Sequence, residues 1–338
     1  MPIINKTKRT AAIFNRGREV VKVYDHGTLA WQKQSSIPDY LCFTALEAGQ
    51  FTLTIGSGVS TTNLQYIEYS LDGRNWTKTN NVDSIGIVIT TPQVSAGDKV
   101  YWRGKGQVMS NSYSTNNFSM FSSTKAGTSD EMSFDASGNV MSLLTDNFSD
   151  SMTWSYTTRT FCRLFQYTAI RHAKDMIIPL THIGYYGCIY MFSSSSIVSA
   201  PKMAPTRLEA QALNSMFAYC ASLTDVSALD FSGVTQFDLY SGYGRNFYVT
   251  FSGCSSLTAA PILPTINPVN GTYLNTFTGC ASLTYIKCLA TDLSATDAFT
   301  NWLSNASTTG TFIQASGVEW PRGASGIPDN WTIETQTP

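Results

Sequence analysis

The sequence predicts a mainly β, multidomain protein that ends in a stack of repeated units. Three observations indicate this fold class. Only 13% of the 338 residues are charged, against about 25% in typical globular domains, and residues that favour strands and turns replace them. Short alternating apolar runs separated by turn residues fill the N-terminal part of the chain. A motif of Phe, Cys and Leu recurs in the C-terminal half, and such recurrence is typical of stacked repeats.

Residues 1–36 are predicted to form a small β module. The stretch "IFNRGREVVKVYDHGTLAWQ" alternates apolar runs with Gly-containing turns. A segment this short buries little core of its own, so we expect it to anchor on another domain or protein. It contains basic residues but no apolar region of the length of a secretory signal. No window of the chain approaches the roughly 20 apolar residues of a membrane span, so we expect no membrane insertion.

Residues 37–108 are predicted to form a β-sandwich. The runs "QFTLTIG", "LQYIEYSL", "GIVITTP" and "DKVYWRG" are strand-like and are separated by turn-rich segments. This spacing is typical of an immunoglobulin or fibronectin III-like sandwich. The Ser, Asn and Thr-rich residues 109–147 are predicted to be a connector that ends in the N-terminal cap of the repeats.

The repeat motif is clearest in "MFAYCASLTDVSAL", "TFSGCSSLTAAPIL" and "TFTGCASLTYIKCL". Two weaker copies, "LFQYTAIRHAKDM" and "MFSSSSIVSAPKM", precede them. The Phe-to-Phe steps are 27, 25, 34 and 26 residues, in the range of leucine-rich repeats, whose units stack to share one core. We predict a solenoid over 148–290 and a C-terminal cap over 291–338. The predicted repeat core is Phe165, Phe192, Phe217, Cys220, Leu223, Phe251, Cys254, Leu257, Phe277, Cys280 and Leu283.

The repeated cysteines raise the question of thiol chemistry. A catalytic thiol would be unique and would lie beside a His or a cationic group, whereas Cys220, Cys254 and Cys280 are equivalent and their repeats contain no His. Seven cysteines, an odd number, fit buried thiols better than a disulfide framework. We therefore predict a structural ladder of thiols inside the stack.

The sequence predicts no enzyme, and no catalytic residue, cofactor or metal ligand is assigned. The three histidines, His26, His172 and His182, belong to no metal-ligand motif, and no phosphate-binding glycine loop is present. A glycosidase that uses only two distant carboxylates stays open as an alternative. The net charge of −1 without a cluster of Lys or Arg argues against binding to nucleic acid.

The best candidate for a binding site is an insertion before the fourth copy of the motif. The 34-residue step exceeds the next by eight residues, and the excess lies in "TQFDLYSGYGRNFYVT" at 235–250. Tyrosines among Gly, Ser and Asn are typical of recognition loops, while a tolerated surface insertion is the alternative. The candidate ligand-binding residues are Asp238, Tyr240, Tyr243, Arg245 and Tyr248. A weaker candidate is the outward side of the strands, with Asp225, Ser227, Ala259, Pro261, Tyr285 and Lys287.

The motif "MF-x-x-C-x-S-L-T" resembles the BspA-like leucine-rich repeats of surface proteins of gut Bacteroidales and of their phages. The resemblance covers about residues 135–335. "SGNVMSLL" is similar to the segment that leads into such arrays, and "YIKCLATDLSATDAFTNWLSNASTTGTFIQ…GIPDNWTIE" is similar to their C-terminal cap. The sandwich resembles domains that precede such arrays, and "IFNRGREVVKVYDHGTLAWQ" resembles short modules of phage structural proteins.

This resemblance, with no signal peptide in the sequence, implies a virion protein made in the host cytoplasm and displayed on the virion surface. A tail or head fibre of receptor-binding type would contact other virion proteins through residues 1–36. Its repeat domain would bind a glycan or protein of the host surface. A purely structural capsid or tail decoration protein and a BspA-like adhesin on the bacterial surface are the alternatives. A homotrimer is a further expectation, although the sequence contains no coiled-coil heptads.

Overall fold

The computed structural model describes the backbone of four short strands between 14 and 32, and residues 39–56, 59, 64–78, 87–110 and 118–336. The chain divides into two compact units, Met1–Pro38 and Asp39–Pro338. The described residues contain strands, turns and one 3-10 helix but no α-helix, so the prediction of a mainly β fold is confirmed. In the first unit, β1 (Phe14–Asn15) pairs with β2 (Arg18–Glu19), and β3 (Lys22–Asp25) pairs with β4 (Thr28–Gln32), both antiparallel.

The second unit begins with strands that form two sheets. They are β5 (Leu41–Ala45), β6 (Gly49–Thr54), β7 (Leu64–Ser70), β8 (Thr77–Lys78), β9 (Val88–Thr90), β10 (Lys99–Gly106), β11 (Met120–Lys125) and β12 (Phe134–Asn139), followed by the 3-10 helix η1 (Val140–Leu143). The strands of the C-terminal half are β13 (Asp175–Ile178), β14 (His182–Ile183), β15 (Lys202–Met203), β16 (Arg207–Leu208), β17 (Gln236–Phe237), β18 (Tyr285–Cys288), β19 (Thr311–Ala315) and β20 (Thr332–Gln336).

The N-terminal strands pack as two facing layers. One sheet has the order β15-β13-β12-β5-β10-β7-β8, and the other has the order β11-β6-β9. Phe43 on β5 contacts Phe51 on β6 and Phe121 on β11, with ring centroids 5.3 and 4.8 Å apart. All three rings are fully buried, because alternate residues of each strand point between the sheets. The predicted strands of 37–108 are therefore present.

Residues 109–147, which the sequence predicts as a connector, supply β11 and β12 to the two sheets. β11 pairs antiparallel with β6 and β12 pairs antiparallel with β5. Phe121 on β11 and Phe134 and Ala136 on β12 are buried. The sequence reads as a loop because polar residues and Gly occupy most of the other positions of 109–147. β12 also pairs in parallel with β13, so no linker separates the layers from the C-terminal half.

The C-terminal half is a stack of units whose equivalent segments pair in parallel. The pairs β13 with β15, β14 with β16, β16 with β17, β18 with β19 and β19 with β20 are all parallel. One phenylalanine from each of five successive units joins a column that starts at Phe121, with neighbouring centroids 5.2–5.5 Å apart and ring planes within 15°. The column ends where Trp302 meets Phe277 edge-on. All eleven predicted repeat-core residues are fully buried.

Each unit contains a turn segment of overlapping turns, at 157–168, 184–195, 209–220, 243–254, 269–280 and 295–306. Every fourth residue of a segment has a positive φ, as in Arg159, Arg163 and Tyr167 at 57°, 59° and 60°. Alternate N–H groups donate to the next segment, so that Phe165 N–H bonds to the carbonyl of Met191 at 2.8 Å. The segments are thereby held in register, and equivalent residues of successive segments lie side by side.

The sixth turn segment lies inside the predicted C-terminal cap. Asp297 and Asn301 carry the same positive φ as their counterparts, and Phe277 N–H donates to the carbonyl of Trp302 at 2.9 Å. The copy is not visible as a motif because Leu303 stands at the Phe position and Ala306 at the Cys position. The stack therefore continues beyond residue 290.

Candidate binding surface

The insertion at 235–250 forms a tight hairpin. Tyr240 N–H donates to the carbonyl of Tyr243 at 2.9 Å, and Tyr243 N–H donates back to the carbonyl of Tyr240 at 3.1 Å. The two residues between them, Ser241 and Gly242, have φ of 51° and 82°. Two consecutive positive φ values are the signature of a type I′ turn, for which Gly is suited. The insertion thus presents Tyr240 and Tyr243 on an ordered turn.

Asp238 holds the base of this hairpin. Its Oδ2 accepts a hydrogen bond from Nε of Arg207 at 2.8 Å, and its Oδ1 accepts one from Nε2 of Gln236 at 2.6 Å. The hydrogen bond that Arg207 donates to Asp238 raises the pKa of Arg207 above its usual value. Both carboxylate oxygens are engaged within the protein, so Asp238 acts as an anchor for the insertion, in contrast with the ligand-binding role expected for it.

His182 and Glu209 lie beside Asp238, and one ligand atom from each of the three lies within 4.8 Å of the others. Nε2 of His182 is 2.9 Å from Oε1 of Glu209, and Oε2 of Glu209 accepts the backbone N–H of Tyr185 at 2.9 Å. These residue types bind divalent cations. Here, however, Arg207 already offsets the charge of Asp238, and the arrangement joins three successive units to one another.

Tyrosine rings surround the hairpin. Tyr240, with 62% of its surface exposed, contacts Tyr185 with centroids 5.0 Å apart, and Tyr185 contacts Tyr186 at 4.1 Å. Burial, reinforced by a hydrogen bond with Tyr186, raises the pKa of Tyr185 well above its usual value. The phenol of Tyr185 therefore stays neutral at physiological pH, and the rings around it offer hydroxyl groups and stacking surfaces.

The remaining predicted residues form a second group. The guanidinium carbon of Arg245 lies 4.9 Å from the ring centroid of Tyr243 and 5.6 Å from that of Tyr248. These distances are within the range of cation–π contacts. The structure therefore brings the side chains of Tyr243, Arg245 and Tyr248 together. The ring of Tyr240 contacts Tyr185, a residue outside the predicted set.

A larger surface extends from this group along the turn segments. The positive-φ positions of successive segments touch: the guanidinium of Arg163 lies 4.4 Å from the ring centroid of Tyr190, and that of Arg159 lies 5.8 Å from the ring of Tyr186. We call the aromatic and cationic side chains at these positions the tyrosine–arginine face. Its members are Arg159, Arg163, Tyr167, Tyr186, Tyr190, Tyr219 and Arg245.

A glycine at one of the positive-φ positions leaves space for a tyrosine ring of this face. A Cβ on Gly253, at φ 75°, would lie 2.8 Å from Cδ1 of Tyr219, its neighbour in the preceding segment. Tyr219 and Tyr167 are 65% and 58% exposed. The twelve positive-φ positions of the first four segments include no Asp or Glu. Sequence reasoning missed this face, although its four-residue spacing is visible as Arg-x3-Arg-x3-Tyr at 159–167 and Tyr-x3-Tyr at 186–190.

The strand side of the stack, the weaker candidate, contains an apolar pocket of about 260 Å³. Pro261, Tyr285 and Lys287 line it together with Ile262, which is 53% exposed. The other residues expected on this side, Asp225, Ser227 and Ala259, do not line the pocket. Asp225 accepts hydrogen bonds from the N–H and the hydroxyl of Ser227, and these bonds lower the pKa of Asp225. Three of the six residues expected on the strand side, Pro261, Tyr285 and Lys287, therefore share a local pocket.

The repeated thiols are structural. Sγ of Cys220, Cys254 and Cys280 donates to the carbonyl oxygen of the phenylalanine one unit earlier, at 3.0, 3.1 and 3.0 Å. All seven cysteines are buried and none forms a disulfide. Burial raises the pKa of Cys220 to about 11 and that of Cys280 to about 12, so both are protonated and poorly nucleophilic at neutral pH.

Comparison with protein-family models, curated proteins and solved structures gave no match to this chain. In the described part of the chain, no helix has the length and apolar character needed to cross a membrane. The functional argument therefore depends on the surface chemistry of the chain itself.

Proposed function

We propose that this chain is a non-enzymatic binding protein of a phage virion, of tail or head fibre type, that attaches to a glycan or protein of the host surface. The observation that carries the proposal is the tyrosine–arginine face. Tyr and Arg are, with Trp, enriched at binding hot spots. Tyr supplies a large contact area at low conformational cost, and Arg supplies several hydrogen-bond donors in a planar group. Here they are repeated along one side of a rigid stack, next to the hairpin that presents Tyr240 and Tyr243.

The finer fold assignment belongs to the same proposal. We interpret the two facing sheets as an immunoglobulin or fibronectin III-like sandwich and the parallel stack as a BspA-like leucine-rich-repeat solenoid. The stacked phenylalanines, the thiol ladder and the parallel pairing at steps of 25 to 34 residues support this. The direct pairing of β12 with β13 makes the sandwich a base for the stack.

The virion context draws its support from the resemblance of the repeats and of the N-terminal segment. The separate compact unit Met1–Pro38 is of a size suited to anchoring on other virion proteins, and the repeat domain would then be displayed at the virion surface. A structural decoration role and a cellular BspA-like adhesin are the alternatives, and a homotrimer is part of the same set of expectations.

Adsorption of the purified protein to bacterial cells tests the proposal. Tyr167→Ala with Tyr219→Ala removes two exposed rings of the tyrosine–arginine face, and Ile262→Ala with Tyr285→Ala removes two exposed side chains of the strand-side pocket. We expect adsorption to fall at least tenfold in the first double variant and to be retained in the second. Loss only in the second would place binding in the pocket, and full adsorption by both would favour the decoration role.

A further inference from the structure

Two arginines of the tyrosine–arginine face carry positive charge that is not paired with a carboxylate of the described residues. Arg103 and Arg207, outside the face, each form an ion pair, with Glu68 at 2.7 Å and Asp238 at 2.8 Å. Arg163 and Arg245, on the face, form no ion pair with a carboxylate of the described residues. The charge is local, because the chain as a whole has a net charge of −1.

These two guanidinium groups are held in place before any ligand binds. The guanidinium carbon of Arg163 lies 4.4 Å from the ring centroid of Tyr190 and 5.1 Å from that of Phe118. Its Nη1 donates a hydrogen bond to Oε1 of Gln166 at 2.7 Å. Arg245 lies over Tyr243 and Tyr248. A guanidinium that rests flat on aromatic rings still has N–H groups at its edge, and these match the two oxygens of a carboxylate. Preorganisation of this kind lowers the entropic cost of binding.

The separation of the two arginines indicates the size of the ligand. Arg163 belongs to the first turn segment and Arg245 to the fourth, so three stacking steps of 5.2–5.5 Å lie between their segments. Tyr190 and the exposed Tyr219 lie on the intervening segments. A ligand that contacts both charges and the rings between them must extend over several units, as a polymer does.

We propose that the ligand of the tyrosine–arginine face is an acidic polysaccharide, whose uronate carboxylates bind Arg163 and Arg245 while its sugar rings stack on the tyrosines. This inference depends on the proposed binding function and narrows its ligand to one chemical class. Charge complementarity favours it over a neutral glycan, and the three stacking steps between the two arginines favour a polymer over a single sugar.

Titration calorimetry with polygalacturonate and with its fully methyl-esterified form tests the inference, because esterification removes the carboxylate charge and keeps the polymer backbone. The test variant is Arg163→Gln with Arg245→Gln. Its matched control is Lys174→Gln with Lys202→Gln, which removes two exposed charges away from the face. Thermal unfolding checks that all proteins are folded.

We expect the full chain to bind the acidic polymer at least tenfold more tightly than the ester, with affinity that falls as salt rises. The Arg variant should lose at least tenfold in affinity for the acidic polymer, and the Lys variant less than threefold. Equal binding of ester and acid, equal affinities of the two variants, or no binding of either polymer would overturn the inference. If neither polymer binds but the protein still adsorbs to cells, the proposed function stands without this ligand. If the protein does not adsorb to cells either, the proposed function and the inferred ligand are both wrong.

Discussion

The thiol of Cys254 donates a hydrogen bond to the carbonyl oxygen of Phe217, one unit earlier in the stack, with Sγ and O 3.1 Å apart. The same carbonyl accepts the N–H of Cys220 within its own unit, so the thiol adds a bond that links this unit to the next. Ser195 and Thr168 occupy the equivalent place in the first two units. The position therefore holds a small side chain with a donor in the first five units, and the small Ala306 in the sixth.

Substitutions of Cys254 separate the contribution of its hydrogen bond from that of its size. We expect Cys254→Ser to lower the free energy of unfolding by less than about 1 kcal/mol, because it keeps a donor of similar size. Cys254→Leu should cost about 1–3 kcal/mol or more, because it overpacks a closed core. Urea denaturation measures both, and a Leu variant as stable as the Ser variant would contradict the packing argument.

Val249 is a β-branched residue at φ 58° in the fourth turn segment, where its counterparts in the next two segments are Asn275 and Asn301. A non-glycine residue in this conformation costs roughly 1–2 kcal/mol, and Asn tolerates it better than Val. We expect Val249→Asn to leave the free energy of unfolding unchanged or to raise it. The buried Val234 provides the control, since Val234→Asn should destabilise. Equal losses in the two variants would show that strain at 249 is unimportant.

The phenylalanine column should dominate stability. Phe217 lies between Phe192 and Phe251, with centroids 5.2 and 5.5 Å away. We expect Phe217→Ala to cost about 3–5 kcal/mol. Tyr219, two residues later and 65% exposed, is the matched control, and Tyr219→Ala should cost less than about 1 kcal/mol. Similar losses of urea stability would mean that the column is not the core of the stack.

Gly242 supplies the second positive φ of the hairpin turn, at 82°. Gly242→Ala should cost about 1 kcal/mol and displace Tyr240 and Tyr243, because a side chain is disfavoured in this conformation. Gly233→Ala is the control, since its Cβ would meet only the carbonyl oxygen of Pro205 at 3.8 Å. Thermal unfolding and cell adsorption measure both effects. A Gly242 variant that behaves like the Gly233 variant would show that the turn does not position the rings of Tyr240 and Tyr243 for binding.

The buried thiols predict a loss of stability at alkaline pH. Because the pKa of Cys220 and of Cys280 is raised from 9.0 to about 11 and about 12, the unfolded chain releases these protons first. The free energy of unfolding should therefore fall as pH rises above 9 and level off above the folded pKa values. Replacing Cys220, Cys254 and Cys280 by Ser should flatten this dependence in urea titrations at pH 8 to 11. An unchanged slope would mean that other groups cause it.

Much of the stack could be predicted from the sequence, because Phe, Cys and Leu recur wherever the core demands the same side chain. The sixth unit was hidden since Leu303 and Ala306 satisfy the same packing with different residues. Strands β11 and β12 were hidden because each has one buried Phe among mostly small or polar residues, some of which are buried as well.

The candidate binding surface was less predictable than the stack. The insertion was visible as extra length, and its rings lie on an ordered hairpin. The ion pair of Asp238 with Arg207 depends on two residues 31 positions apart, and no local pattern indicates it. The tyrosine–arginine face follows a four-residue period set by repeated positive φ values, which neither helix nor strand periodicity reveals.

The double pairing of β12, antiparallel with β5 and parallel with β13, also bears on the order of assembly. A stack of units normally has to form a costly first pair before further units can add. Here the first unit can dock on a strand that the sandwich has already ordered, so the sandwich serves as a template. Growth would then proceed from the N-terminal end towards the C-terminus, in the same direction as synthesis on the ribosome.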